Sequence, residues 1–216
     1  MENDNQIDIE LNDYDAETLQ GILKEYISND ACNVIFAVTD KNLEMAKDDV
    51  EFYECLQKAD LLINSSNLKS EDSIQSNEAG FDVNIINQIT SDEEIDTLSI
   101  MLLTDESEFS ESFDNKINEV FKDNEYAEYV GSYVVDDETD DDLIINEING
   151  RIPDVLVCIC ESPVQEKWII DNKSKIGVKL ILALGGEKEE FMQKKENGIK
   201  FLAKMFARQR FFSLIL

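Results

Sequence analysis

Chemistry in this 216-residue chain is constrained first by what is missing: there are 48 carboxylates and no histidine. Without imidazole the commonest general base near neutrality is gone, together with most zinc and haem schemes. Any acid–base work falls to a carboxylate, Tyr, Lys or Cys. The stretch ESPVQEKWII, residues 161–170, concentrates the candidates. Gln165 and Glu166 can bind a ligand there through amide and carboxylate. Alternatively the stretch is a helix start, with Ser162 as its cap, Pro163 in the first turn and Trp168 packing the helix on a sheet. Cys158 and Cys160 have the i, i+2 spacing that puts both thiols on one face of a strand, while Cys32 and Cys55 stand alone. Small buried thiols in a reduced compartment account for them, since a metal site would need two further ligands that the sequence does not offer. The run DDETDDDL, 136–143, lacks the glycine and spaced ligands of a calcium loop. Thr139 with Asp142 three residues later reads there as a capping arrangement at a helix start.

Short apolar runs must position these residues. NVIFAV (33–38), DLLIN (60–64), LSIMLL (98–103), YVGSYVV (129–135), PDVLVCIC (153–160) and VKLILAL (178–184) read as strands, and their near-continuous apolar character suits strands covered on both faces. Helical patterns fall near 16–29, 42–58, 80–89, 111–123, 139–149, 163–174 and 198–213. The alternation predicts an α/β fold of Rossmann-like type, a mostly parallel sheet with helices on both faces and right-handed crossovers. Ligands of such sheets bind beyond the carboxyl ends of the strands, and ESPVQE falls directly after the fifth. The polar segment 64–79 is expected to be a loop.

Composition narrows the partners. The net charge of −29 would repel a phosphate backbone and argues against nucleic acid. No apolar run is long enough to span a bilayer, and the acidic start MENDNQIDIE is unlike a signal peptide, so the expected location is cytoplasmic. From Phe191 to Leu216, by contrast, six Lys/Arg face one Glu, a local charge of +5. Lys200, Lys204 and Arg208 form an i, i+4, i+8 stripe on a C-terminal basic amphipathic helix, with Arg210 beyond. Such a helix suits either anionic lipid at the inner face of the membrane or an acidic protein surface, its own domain or a sister subunit. The expected division is an α/β domain over 1–190 and this appendage over 191–216.

The order of these landmarks resembles the WecG/TagA/CpsF glycosyltransferases, glycosyltransferase family 26. Ser162, Pro163, Gln165, Glu166, Lys167, Trp168 and Ile169 match a GSPKQEKWI-like segment, and Gly185 with Gly186 match a downstream glycine pair. AKDDVEFYECLQKADLL (46–62), AGFD (79–82) and GIKFLAKMF (198–206) are similar to further family segments. The resemblance implies transfer of a sugar, typically N-acetylmannosamine, from a UDP-sugar to a lipid-diphosphate-linked acceptor. It implies inversion at the anomeric centre and no required metal or other cofactor. It also implies a substrate-binding set of Thr39, Asn64, Ser65, Asn77, Asp82, Ser162, Gln165, Glu166, Gly185 and Gly186.

Several of these places depart from the family pattern. The carboxylate base expected at 65 is Ser65, and losing a general base typically costs about 10²- to 10⁴-fold. The expected arginine is Asn77. Glycines of the diphosphate cradle are replaced at Thr104, Asp105 and Glu161, and the segment after the glycine pair begins Glu187, Lys188, Glu189, Glu190. At ~4 Å and an effective dielectric of about 20, each unpaired like-charge contact with a diphosphate would cost on the order of 4 kcal/mol before screening. The resemblance with these departures implies a divergent homologue of cell-envelope polysaccharide or teichoic-acid-like biosynthesis. It would be catalytically weak or silent, acting beside a partner glycosyltransferase or as a homo-oligomer. The alternative is an active transferase in which Asp60, Glu161 or Glu187 stands in for the base.

Overall fold

The computed structural model describes residues 9, 11–12, 14, 16–64, 98–107, 110–111, 114, 127–136 and 138–185. Within them the chain runs α1 (Ala16–Ser28), β1 (Asn33–Val38), α2 (Asp40–Asp48), α3 (Val50–Gln57), β2 (Leu61–Asn64), β3 (Leu98–Thr104), β4 (Ala127–Val134), α4 (Asp141–Arg151), β5 (Val155–Ile159), α5 (Val164–Asn172), a 3-10 turn (Lys173–Lys175) and β6 (Leu180–Ala183). The six strands form one sheet in the order β2-β1-β6-β5-β3-β4, and every pairing is parallel. All six expected strands are present. The helical patterns at 80–89 and 198–213, the loop at 64–79 beyond Asn64 and most of 111–123 lie outside the described residues.

The sheet is parallel because its strands are apolar on both sides and a crossover connection returns each to the same end. Val34, Phe36, Leu103, Leu156, Cys158 and Ile181 share one buried cluster with Phe52 and Leu56 of α3, Ile148 of α4 and Ile169 of α5. Their alternating neighbours Ile35, Ala37, Leu102, Val157 and Leu182 are buried as well, so both faces are covered. The connections β1 to β2, β4 to β5 and β5 to β6 all step the same way along the sheet. Right-handed crossovers therefore put α3, α4 and α5 on one face, with their N-termini at the carboxyl ends of the strands.

Local chemistry moves three boundaries from where the sequence puts them. The pattern at 42–58 is two helices because Asp49 interrupts it: its side chain accepts Phe52 N–H at 2.9 Å and caps α3 instead of continuing α2. Helix α4 is capped by Asp140, whose carboxylate accepts Asp142 N–H at 2.8 Å, and not by Thr139. The Thr139 hydroxyl is turned back to Asp136, donating to its carboxylate at 2.6 Å and accepting its N–H at 3.0 Å. Helix α5 starts at Val164 after Pro163, with no side-chain cap, and the Ser162–Pro163 peptide is cis. Ser162 instead donates to Glu166 Oε1 at 2.7 Å. Trp168 is half-buried, and its indole N–H donates to Asp141 Oδ1 at 2.8 Å, so its polar edge ties α5 to the start of α4.

Candidate functional site

In an open parallel sheet the ligand crevice lies where neighbouring strands send their connections in opposite directions. The chain leaves β3 toward β4 and leaves β5 toward β6, so among the described strands the reversal falls between β3 and β5. Two loops meet there, one beginning at Asp105 and the other at Cys160. Every described candidate sits at this end of the sheet: Thr39 after β1, Asn64 at the end of β2, Ser162, Gln165 and Glu166 after β5, and Gly185 after β6. Ser65, Asn77, Asp82, Gly186, Glu187, Lys200, Lys204, Arg208 and Arg210 lie outside the described residues. Strands are about 4.8 Å apart, which puts β1 about 10 Å from β5. Thr39 and Asn64 therefore border the ESPVQE loop from a distance.

Geometry gives each candidate a definite task. Thr39 caps α2 reciprocally: its hydroxyl accepts Asn42 N–H at 3.2 Å, and its own N–H donates to Asn42 Oδ1 at 3.0 Å. Gln165, 4% exposed, reaches back to the strand end. Its Oε1 accepts Cys160 N–H at 3.0 Å, and its Nε2 donates to Glu166 Oε1 at 3.2 Å. Gly185 makes that possible. A Cβ there would stand 2.6 Å from Gln165 Nε2 and collide with the Cys160 carbonyl, so the room that glycine leaves is filled by the chain's own amide.

Glu166 is the chemically distinctive group. It is 3% exposed, and its Oε1 receives both the Ser162 hydroxyl at 2.7 Å and the Gln165 amide. Its Oε2 is buried with no hydrogen-bond partner among the described residues. Burial pushes its pKa up, because desolvation disfavours the charged form more than the Ser162 and Gln165 donors favour it. That shift makes the neutral, proton-donating form of this carboxyl easier to hold than in an exposed glutamate. The thiols nearby are quiet: burial drives Cys158 well above the ordinary thiol range, and Cys160 Sγ points its weak donor at the Leu103 carbonyl.

Around these residues the crevice is laced by contacts between its two rims. The Thr104 hydroxyl donates to the Ile159 carbonyl at 3.0 Å, joining the ends of β3 and β5. Asp105 Oδ2 accepts Glu161 N–H at 2.9 Å. Asp105 and Glu161 are 56 residues apart, and no local signal pairs them. Lys167, in the first turns of α5, is turned toward α3, where it pairs with Asp49 at 2.8 Å and Glu51 at 3.0 Å. Those bonds raise the Lys167 pKa, and the Lys167 bond lowers that of Asp49.

Of the three acids that could stand in for a base, Asp60 is ruled out by position. It precedes β2 at the amino end of the sheet, where Oδ2 accepts Val34 N–H at 2.8 Å and pairs with Lys173 at 3.1 Å. The sequence does not reveal this, because DLLIN shows a strand without showing which end of it faces the crevice. Glu161 is exposed on the crevice rim, and Glu187 lies outside the described residues.

A six-stranded, all-parallel sheet whose central strands are covered on both faces defines a Rossmann-like α/β fold. The profile of the glycosyl transferase WecG/TagA/CpsF family matches residues 5–189, most of the chain, and the protein belongs to that family. No curated protein is a match for the chain. No helix among the described residues is long and apolar enough to cross a membrane.

Proposed function

We propose that this chain is a catalytically weak or silent member of its family, serving cell-envelope polysaccharide or teichoic-acid-like biosynthesis as a binding or regulatory partner. The observation that carries this reading is that the candidate donors of the crevice are occupied by the chain itself. The Gln165 amide is spent on Cys160 and Glu166, Glu161 N–H on Asp105, and Thr39 on the cap of α2. Lys167 is held by two carboxylates of α3. Ser65 at the expected base position supports the same reading, since a hydroxyl is a very poor base near neutrality. The α/β domain, 1–190, supplies the frame. The basic segment 191–216 supplies the contact with a partner enzyme, a second copy or anionic lipid, and sedimentation with anionic vesicles separates lipid from the other two.

Calorimetric titration of the full chain with UDP at low salt tests the reading. No heat up to millimolar UDP is the expected result. Binding at micromolar affinity would overturn it in favour of an active transferase moving N-acetylmannosamine or a related sugar from a UDP-sugar to a lipid-linked acceptor. Glu161, exposed on the rim, would then be the first base to test, by Glu161→Gln.

A further inference from the structure

The contact between Asp105 and Glu161 sits where a doubly wound sheet ordinarily holds its ligand. Asp105 is the first residue beyond β3 and Glu161 the second beyond β5, so the pair bridges the crevice between the two strands whose connections diverge. Glu161 N–H belongs to the loop that runs into the N-terminus of α5. The positive end of a helix dipole and the nearby backbone donors favour an anion there. An anion is already present: the Asp105 carboxylate, 2.9 Å from that nitrogen.

A second observation at the same turn points to a missing ligand atom. Glu166, in the first turn of α5, has one buried carboxylate oxygen, Oε2, without a hydrogen-bond partner among the described residues. In its neutral form that oxygen carries a proton that needs an acceptor, and a phosphate oxygen is a strong one. Asp105 is held in place independently, since Thr104 beside it is bonded through its hydroxyl to Ile159 O and accepts Glu106 N–H at 3.3 Å.

We propose that Asp105 is a built-in anion, its carboxylate occupying the backbone donor at which the loop before α5 would hold a phosphate group, so that the crevice is closed to nucleoside diphosphates and pyrophosphate. This rests on the silent reading and supplies its physical cause: the donor is consumed from within, and a free diphosphate must displace a tethered carboxylate of like charge.

The test is calorimetric titration of the full-length protein with inorganic pyrophosphate at physiological ionic strength, comparing wild type, Asp105→Ala and Asp105→Asn. Asp105→Ala is expected to bind pyrophosphate about tenfold or more tightly than wild type, the worth of one charge-assisted hydrogen bond no longer contested. A folded Asp105→Ala that binds no more tightly than wild type overturns the proposal. If Asp105→Ala does not fold, Asp105→Asn is decisive. It keeps an oxygen acceptor and removes the charge, so a gain supports the proposal and no gain overturns it. UDP titration of wild type keeps the two readings apart. Wild-type binding of UDP overturns both readings, whereas silence in both proteins leaves the silent reading standing and overturns only the role of Asp105.

Discussion

The two ends of the sheet treat their acids in opposite ways. At the amino end, Asp154 receives Ser99 N–H at 2.9 Å and the Ser99 hydroxyl at 2.8 Å, and pairs with Lys179 at 2.8 Å. Asp60 there pairs with Lys173 and accepts a strand N–H. Burial would raise the Asp154 pKa, but the bonds from Lys179 and Ser99 outweigh it and the net shift is downward. At the carboxyl end, Glu166 is buried more deeply, has neutral donors on one oxygen only, and shifts upward. Asp154 and Asp60 at the amino end tie strand ends together through lysines and backbone N–H groups. The acid at the carboxyl end has a raised pKa and one incompletely satisfied oxygen, which is the pattern expected where a fold once served, or still serves, a ligand.

The largest effect should come from breaking the amino end. Asp154→Ala strips partners from both donors of Ser99 and from Lys179, and is expected to cost about 2–3 kcal/mol, read as a lowered urea midpoint at unchanged slope. A loss under about 0.5 kcal/mol, typical of an uninvolved surface site, would erase the contrast. At the other end, Gly185→Ala should cost about 1–3 kcal/mol by forcing the new methyl group against Cys160 O and Gln165. An unchanged melting temperature would mean that Gln165 yields its place readily, and that this amide is available to a ligand after all.

The smallest effect is the most diagnostic. A folded-state pKa for Glu166 above its unfolded value means that the stability contributed by the neutral carboxyl is fully present below about pH 4.3 and is lost as pH rises through the folded value. Glu166→Gln cannot ionise and escapes that loss. Its stability relative to wild type should therefore climb from acid toward neutral pH, measured as the difference in urea midpoints across the range. A difference that stays flat, or falls, would mean that Glu166 is charged in the fold and that the two ends are not electrostatically distinct.

Much of the fold was legible in the chain. Six apolar runs became six strands, most of them because a strand buried on both faces must be apolar throughout, while half-buried β4 at the edge carries Glu128 and Ser132. The helix boundaries were legible only to the nearest cap. Asp49, Thr139 and Asp140 are all competent acceptors, and which one caps depends on where the neighbouring turn directs its side chain. The placement of ESPVQE after the fifth strand was legible too, and with it the end of the sheet at which a ligand would bind.

By itself, then, the sequence determined the parallel α/β architecture, the exclusion of histidine chemistry and the loop that carries the candidate residues, since these depend on composition and on neighbours a few residues apart. The tertiary structure alone decided that Asp60 belongs to the wrong end of the sheet and that Gln165 fills the space beside Gly185. It also decided that burial raises the Glu166 pKa and that Asp105 answers Glu161 across 56 residues. Those facts are set by desolvation and by which strands lie side by side, and strand order places β3 beside β5 although β4 and α4 separate them in the chain.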